Sequence, residues 1–169
     1  YDSGQGDSIF GDIVHSGPVF VGVPNEPYPD LDPVGSSSKR YSDFKGSQKT
    51  RNGIVYVGAN DGMLHACDTS LAGKEIMAYV PAELYASGTG PDGLHYLSDS
   101  TYTHKYYLDT NLAVSDTFIN TSTGGLGSAD WTTVLAGAYG AGGNGVFALD
   151  VTNETFSNSV TGATNTVLW

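Results

Sequence analysis

Charge is scarce in this sequence, basic charge scarcer still, and cysteine almost absent. Charged residues are 15% of the 169 positions, against roughly 25% in an average soluble domain. Seven are Lys or Arg and 18 are Asp or Glu, a formal net charge of −11. That balance opposes phosphate backbones, which need clustered cations, and equally opposes anionic lipid surfaces. Neither nucleic acid nor membrane is an expected direct partner. No apolar run approaches the roughly 20 residues of a membrane helix, so no insertion of that kind is expected. Cys67 stands alone, which rules out an internal disulfide and leaves the compartment open. The Ala, Leu, Glu and Lys mixture that favours helices occurs only in short stretches. The chain opens on Tyr1 and stops at Val167-Leu168-Trp169, inside an apolar strand-like run, as expected of a segment excised or processed from a longer protein.

What is abundant points to strands joined by tight turns: 23 glycines, 11 tyrosines and many Ser, Thr and Asn. At 39% hydrophobic content, this length supports one domain with a core of its own.

Ile13-Val14-His15-Ser16-Gly17-Pro18-Val19-Phe20-Val21-Gly22 reads as two short extended pieces bent at Gly17-Pro18. Residues 23–52 carry four prolines and a Ser36-Ser37-Ser38 run, and read as a long loop or insertion. The clearest strand signal is Ile54-Val55-Tyr56-Val57-Gly58-Ala59. Asn60-Asp61-Gly62 then gives a hairpin turn, because these residues tolerate positive φ. Met63-Leu64-His65-Ala66-Cys67-Asp68 returns, a Gly73-Lys74 turn follows, and Glu75-Ile76-Met77-Ala78-Tyr79-Val80 is a third strand stopped by Pro81.

This unit recurs. Thr133-Val134-Leu135-Ala136-Gly137-Ala138 matches the first strand, with Gly137 standing 79 positions after Gly58. Val146-Phe147-Ala148-Leu149-Asp150 matches the second, with Asp150 standing 82 positions after Asp68. Val167-Leu168-Trp169 falls where the third strand of the second unit begins, and residues 102–108 and 112–119 supply further strand candidates. The expected fold is all-β: about two blades of a partial, open β-propeller, with antiparallel sheets and long loops. Unit one covers about 11–81 and unit two about 102–169. A β-sandwich would use a similar number of strands, but it predicts no internal repeat.

Several motifs invite chemistry and give way to plainer readings. Gly140-Ala141-Gly142-Gly143-Asn144-Gly145 satisfies the dinucleotide fingerprint, yet that motif must open a helix and here it runs into a β-prone stretch. Ser36 and Lys39 form S-x-x-K in a Ser-rich loop with neither partner motif of the serine acyl enzymes. His15, His65, His95 and His104 lack zinc-type spacing, and His65 reads as a hydrogen-bonded interior residue. Asp30 and Asp32 begin a calcium-loop pattern that Pro33 interrupts. Asp68 and Asp150 read as turn-stabilising strand ends, and Cys67 as a small apolar residue. Asn120-Thr121-Ser122 and Asn153-Glu154-Thr155 are sequons that matter only in a eukaryotic secretory host. No catalytic, metal or cofactor-binding residue is assigned, and the chain is expected not to be an enzyme.

A set of blocks is similar to the C-terminal quinoprotein-like propeller of the PilY/PilC family of type IV pilus tip-associated biogenesis and adhesion proteins. They are Gly11-Asp12-Ile13-Val14-His15-Ser16 before Pro18-Val19, Tyr41-x-x-Phe44, residues 55–66, Ala78-Tyr79-Val80-Pro81, Tyr102-x-His104 and residues 140–152. The resemblance implies a non-enzymatic role in a bacterial type IV pilus system, supporting pilus assembly and surface adhesion or twitching motility. It implies a location outside the cell or on its surface, with pilin or minor pilins, or copies of the chain itself, as partners. The family's calcium loop would follow Val167-Leu168-Trp169, so no cofactor is expected within this segment. Partner contact is expected from the loop at residues 23–52, through Tyr28, Tyr41, Phe44 and Arg51. Two alternatives stay open: a fragment of a pyrroloquinoline-quinone dehydrogenase, which the blade repeat also suggests, and a polymerising sheath subunit that uses its open strand edges.

Overall fold

The computed structural model describes residues 10–31, 39–85, 93–109, 111–121, 128–156 and 166–169. Among these described residues, seven strands form two antiparallel sheets. The first holds β1 (Val19–Val21), β2 (Ile54–Gly58), β3 (Leu64–Asp68) and β4 (Lys74–Tyr79) in that order. The second holds β5 (Leu112–Ile119), β6 (Asp130–Ala138) and β7 (Val146–Asp150), again in order. Along the outer side of β7, Val167 bridges Leu149, Leu168 donates to the Ala148 carbonyl at 2.9 Å, and Ala148 donates to the Trp169 carbonyl at 3.1 Å. The chain's last residues therefore take the fourth-strand position of sheet two, matching β4 of sheet one.

Strand alternation explains how the sheets meet. Ile54 and Tyr56 on β2, with Leu64 and Ala66 on β3, share one face of sheet one. They pack in one core with Leu135, Phe147, Leu149 and Val151 of sheet two. Each large side chain removed from water there contributes about 1.5–3 kcal/mol. The Tyr79 ring on β4 meets Phe147 at 5.8 Å across the seam.

The ladders correct the repeat by one residue. Ile54 pairs with Asp68, and Val134 pairs with Asp150. If the two aspartates correspond, Ile54 corresponds to Val134, so β2 and β6 are offset by 80 positions and not 79. Gly137 then matches Val57, and Leu135, Phe147 and Leu149 match Val55, His65 and Cys67. Those three lie on the face of sheet one turned away from sheet two. Successive sheets thus repeat front to back, as blades do. A one-residue slip matters because it exchanges the faces.

Local details also differ from expectation. The Asn60-Asp61-Gly62 turn has three residues, closed by Ala59 N–H to the Met63 carbonyl at 3.0 Å, with positive φ only at Gly62. Of the two extended pieces expected at 13–22, only Val19–Val21 is a strand. Residues 102–108 are not a strand either. Three of their amides are taken by side chains: Thr103 donates to the Tyr96 hydroxyl, Lys105 to the Tyr102 hydroxyl, and Tyr107 to Asn60 Oδ1. Residues 23–52 are not loop throughout, since one helix, α1 (Tyr41–Ser47), stands in the all-β framework. The glycine-rich run at 140–145 is a turn between β6 and β7, closed by Tyr139 N–H to the Gly145 carbonyl at 3.0 Å. A strand follows it, as the hairpin reading requires.

Candidate partner-contact site

β5 and β6 are 8 and 9 residues long, while β2 and β3 are 5 each. At one end of the longer pair Phe118 stands opposite Trp131. Tyr28, Tyr41 and Phe44 from the segment at 23–52 pack there. In α1, Tyr41 and Phe44 fall on one face by their three-residue spacing. Both turn to Trp131, with ring centroids at 4.7 and 6.4 Å. Tyr28 meets Trp131 at 5.3 Å and Tyr41 edge-on at 5.2 Å, and Phe118 completes the group at 5.5 Å from Trp131.

So short a helix needs help at its start. Arg40 at the N-cap offers no side-chain bond, and Asp30 Oδ1 instead accepts the Ser42 amide at 2.9 Å. The Ser42 side chain, and after it this amide, hold the Asp30 carboxyl below the usual carboxylate range by hydrogen bonding. Lys39, entering the helix, donates to the Ala129 carbonyl at 2.7 Å and to Asp130 at 3.0 Å, and its own carbonyl accepts Trp131 Nε1 at 3.0 Å. This is structural work, unlike the serine-lysine chemistry its motif invited. Ser36, Asp32 and Pro33 lie outside the described residues, as does Ser122 of the first sequon.

A polar chain runs beneath the rings. The Tyr41 hydroxyl accepts the Glu26 amide at 2.8 Å and donates to Asp116 Oδ2 at 2.6 Å. Thr133 donates to Asp116 Oδ1 at 2.6 Å and accepts from Arg51 Nη1 at 2.8 Å. Arg51 also donates from Nε to the Gly22 carbonyl at 2.8 Å, from Nη2 to the same oxygen, and from Nη1 to the Thr152 carbonyl at 3.3 Å. Burial pushes the Tyr41 phenol well above its ordinary value, reinforced by the hydrogen bond to Asp116. Burial pulls the Arg51 guanidinium down, against the opposing pull of the Asp116 charge. A cleft of about 370 Å³ opens between β1 and β5, lined by Phe20, Val23, Pro24, Glu26, Arg51 and Asp116 among others.

Of the four expected contact residues, Tyr41 is 1% exposed and Arg51 8%, so neither presents its side chain at the surface. Tyr28 and Phe44 are half-buried. The structure brings all four to one end of sheet two, as supports for the segment that carries them. Asp116, Trp131 and Phe118, which complete the arrangement, were not singled out from sequence. The available signal was a carboxylate set inside the strand-like run at 112–119. Among the described residues no group of three or more His, Cys, Asp or Glu could hold a metal ion. Burial, then the charge of Glu75, pushes the Cys67 thiol up, away from the reactive thiolate.

Comparison with known proteins bears directly on this architecture. The family model of the PilY1 β-propeller domain matches residues 10–165. The chain belongs to the PilY1 β-propeller family. One relative, a type IV pilus biogenesis factor PilY1 homolog of Xylella fastidiosa, is 44% identical over 148 residues, covering 87% of this chain and 11% of the relative. The type IV pilus biogenesis factor PilY1 of Pseudomonas aeruginosa is 41% identical over 150 residues, covering 87% and 12%. The crystal structure of the Pseudomonas aeruginosa PilY1 C-terminal domain matches with a TM-score of 0.50 and 38% identity, over 79% of this chain and 22% of that one. The chain thus spans about a tenth of the length of these PilY1 relatives. Within the PilY1 propeller family, the two sheets described above are blades.

Proposed function

We propose that this chain is the propeller portion of a non-enzymatic component of a bacterial type IV pilus system, supporting pilus assembly and surface adhesion or motility. The observation that carries the reading is the match of residues 10–165 to the PilY1 propeller, together with relatives named as pilus biogenesis factors. The site chemistry supports it: Arg51, Thr133, Asp116 and Tyr41 spend these hydrogen bonds on one another and on backbone, as a brace does. The segment works without a cofactor of its own, outside the cell or at its surface, with pilin or minor pilins as partners. Contact comes from the outer side of residues 23–52, where Tyr28 and Phe44 remain partly accessible while Tyr41 and Arg51 hold the segment from below.

The deciding experiment removes the coding region for residues 10–169 from its gene in frame and counts surface pili. Loss of pili with normal pilin levels supports the reading, and wild-type piliation and motility would overturn it. A photo-crosslinker placed at Phe44 tests the contact surface separately. It should capture a pilin, and capture of none would remove the contact assignment while leaving the pilus role standing.

A further inference from the structure

Residues 10–16 run from the β2–β3 turn to residues 104–109, tied at Phe10, Gly11, Asp12, His15 and Ser16. The Phe10 ring lies 4.3 Å from the His65 ring, and the Gly11 amide donates to Asp61 Oδ2 at 2.8 Å. The Asp12 carbonyl accepts the Asn60 amide at 3.0 Å, and its carboxylate takes Asn60 Nδ2 at 3.2 Å and His104 Nε2 at 2.9 Å. His15 meets Asp109 twice, through its amide at 2.8 Å and through Nδ1 at 2.5 Å, and Ser16 accepts the Gly58 amide at 2.9 Å. The β2–β3 turn belongs to sheet one, whereas residues 104–109 lead into sheet two. The strap therefore fastens one to the other.

Among the described residues, the ion pairs of Asp12, Asp61 and Asp109 are all with histidine. His15 and His104 each meet a carboxylate through one ring nitrogen, with Tyr106 beside both rings. A neutral ring keeps such a contact by holding its proton on that nitrogen. His65 is different. Its side chain is 3% exposed, with Nδ1 2.5 Å from Glu75 Oε1 and Nε2 3.0 Å from Asp61 Oδ2. A neutral imidazole has one donor and one lone pair, so it satisfies one carboxylate and repels the other, while imidazolium satisfies both. From β3, Cys67 lies two residues along the same face, and from the turn Asp61 is itself the anchor of Gly11 and Met63.

We propose that residues 10–16 form a proton-dependent clasp between the two sheets, fastened while His65 carries protons on both ring nitrogens and slackened when it loses one. On deprotonation, either Glu75 or Asp61 faces a lone pair. A displaced Asp61 releases the Gly11 amide and, with it, Phe10, whose ring leans on His65 at 40°. Burial opposes the charge on His65, but the hydrogen bonds from Asp61 and Glu75 outweigh it, so its pKa lies above the ordinary histidine value. The clasp is therefore fully fastened below that ordinary value and loosens as pH rises through the higher folded one.

The test follows the His65 ring nitrogens by NMR in the whole 169-residue chain, from pH about 5 to about 9, beside hydrogen exchange at the Gly11 amide. Both ring nitrogens should be protonated at neutral pH, and Gly11 protection, corrected for intrinsic exchange, should fall about tenfold in step with His65 deprotonation. In Glu75→Gln the His65 midpoint should drop, and the Gly11 step should move with it. A neutral His65 ring below its ordinary midpoint, or Gly11 protection that ignores its titration, overturns the proposal. Should the variant not fold, the wild-type titration alone decides.

Discussion

Asp116, in the middle of β5, accepts the phenolic proton of Tyr41 at 2.6 Å from 75 positions away in the chain. The bond links a short helix that could not persist alone to the longest strand pair of the fold. Replacing Tyr41 with Phe keeps the ring among Trp131 and Phe44 and removes the hydroxyl, which donates to Asp116 and accepts the Glu26 amide. Loss of a buried bond to a charged acceptor should cost about 1.5–3 kcal/mol in urea unfolding at neutral pH. A change inside about 0.5 kcal/mol would mean that the bond does not form in solution.

Tyr56 makes the opposite case. Its hydroxyl is fully buried in the seam with no hydrogen-bond partner among the described residues, and burial pushes its pKa far up. An unpaired buried hydroxyl costs about 1–3 kcal/mol. Tyr56→Phe is expected to leave stability unchanged or raise it by about 1 kcal/mol in the same assay. A clear loss would reveal an acceptor, such as an ordered water, held at that position.

Gly142 is fixed by approach, not by turn geometry. A Cβ there would lie 1.9 Å from the Tyr107 carbonyl oxygen, and backbone cannot swing aside as a side-chain tip can. Gly142→Ala should destabilise by about 1–3 kcal/mol and shift backbone NMR signals at 105–109. Unperturbed signals there would show that the turn does not rest on that segment.

Stability should form a dome against pH. Burial works to raise the Asp61 carboxyl, but the bonds from His65, Gly11 and Met63 outweigh it, so its pKa is lowered. A lowered carboxylate contributes stability above its unfolded value, about 4, that is lost as pH falls through the folded one. His65 adds the alkaline side, with its raised pKa. Thermal unfolding at pH about 3 to about 9 should show both limbs, and Asp61→Asn should flatten the acid limb. An acid limb of unchanged slope would remove Asp61 from the account.

The strands of both hairpins were legible because β-branched and aromatic runs bounded by Gly and Asp have few other solutions. The pairing of the repeat was legible to within one residue, and that residue decided which face each side chain occupied. Residues 102–108 misled, since their aromatic alternation resembles a strand while their amides bond to Tyr102 and Asn60 side chains. At 23–52 the segment and its aromatic residues were legible, but the contacts that Tyr41 and Arg51 make were not. Its meaning lies in the unequal lengths of β3 and β6 and in partners such as Asp116 and Trp131, some 75 to 90 positions away. No local pattern reports a contact over that distance.

The length mismatch between the sheets has a mechanical consequence. A load that pries the first sheet from the second must extract Arg51 from between Gly22 and Thr133, and Tyr41 from above Asp116, before the apolar seam can part. Short directional bonds yield over a fraction of an ångström, so they resist sudden pulling far more stiffly than oily contact does. The pair of sheets should rupture under tension as a single body.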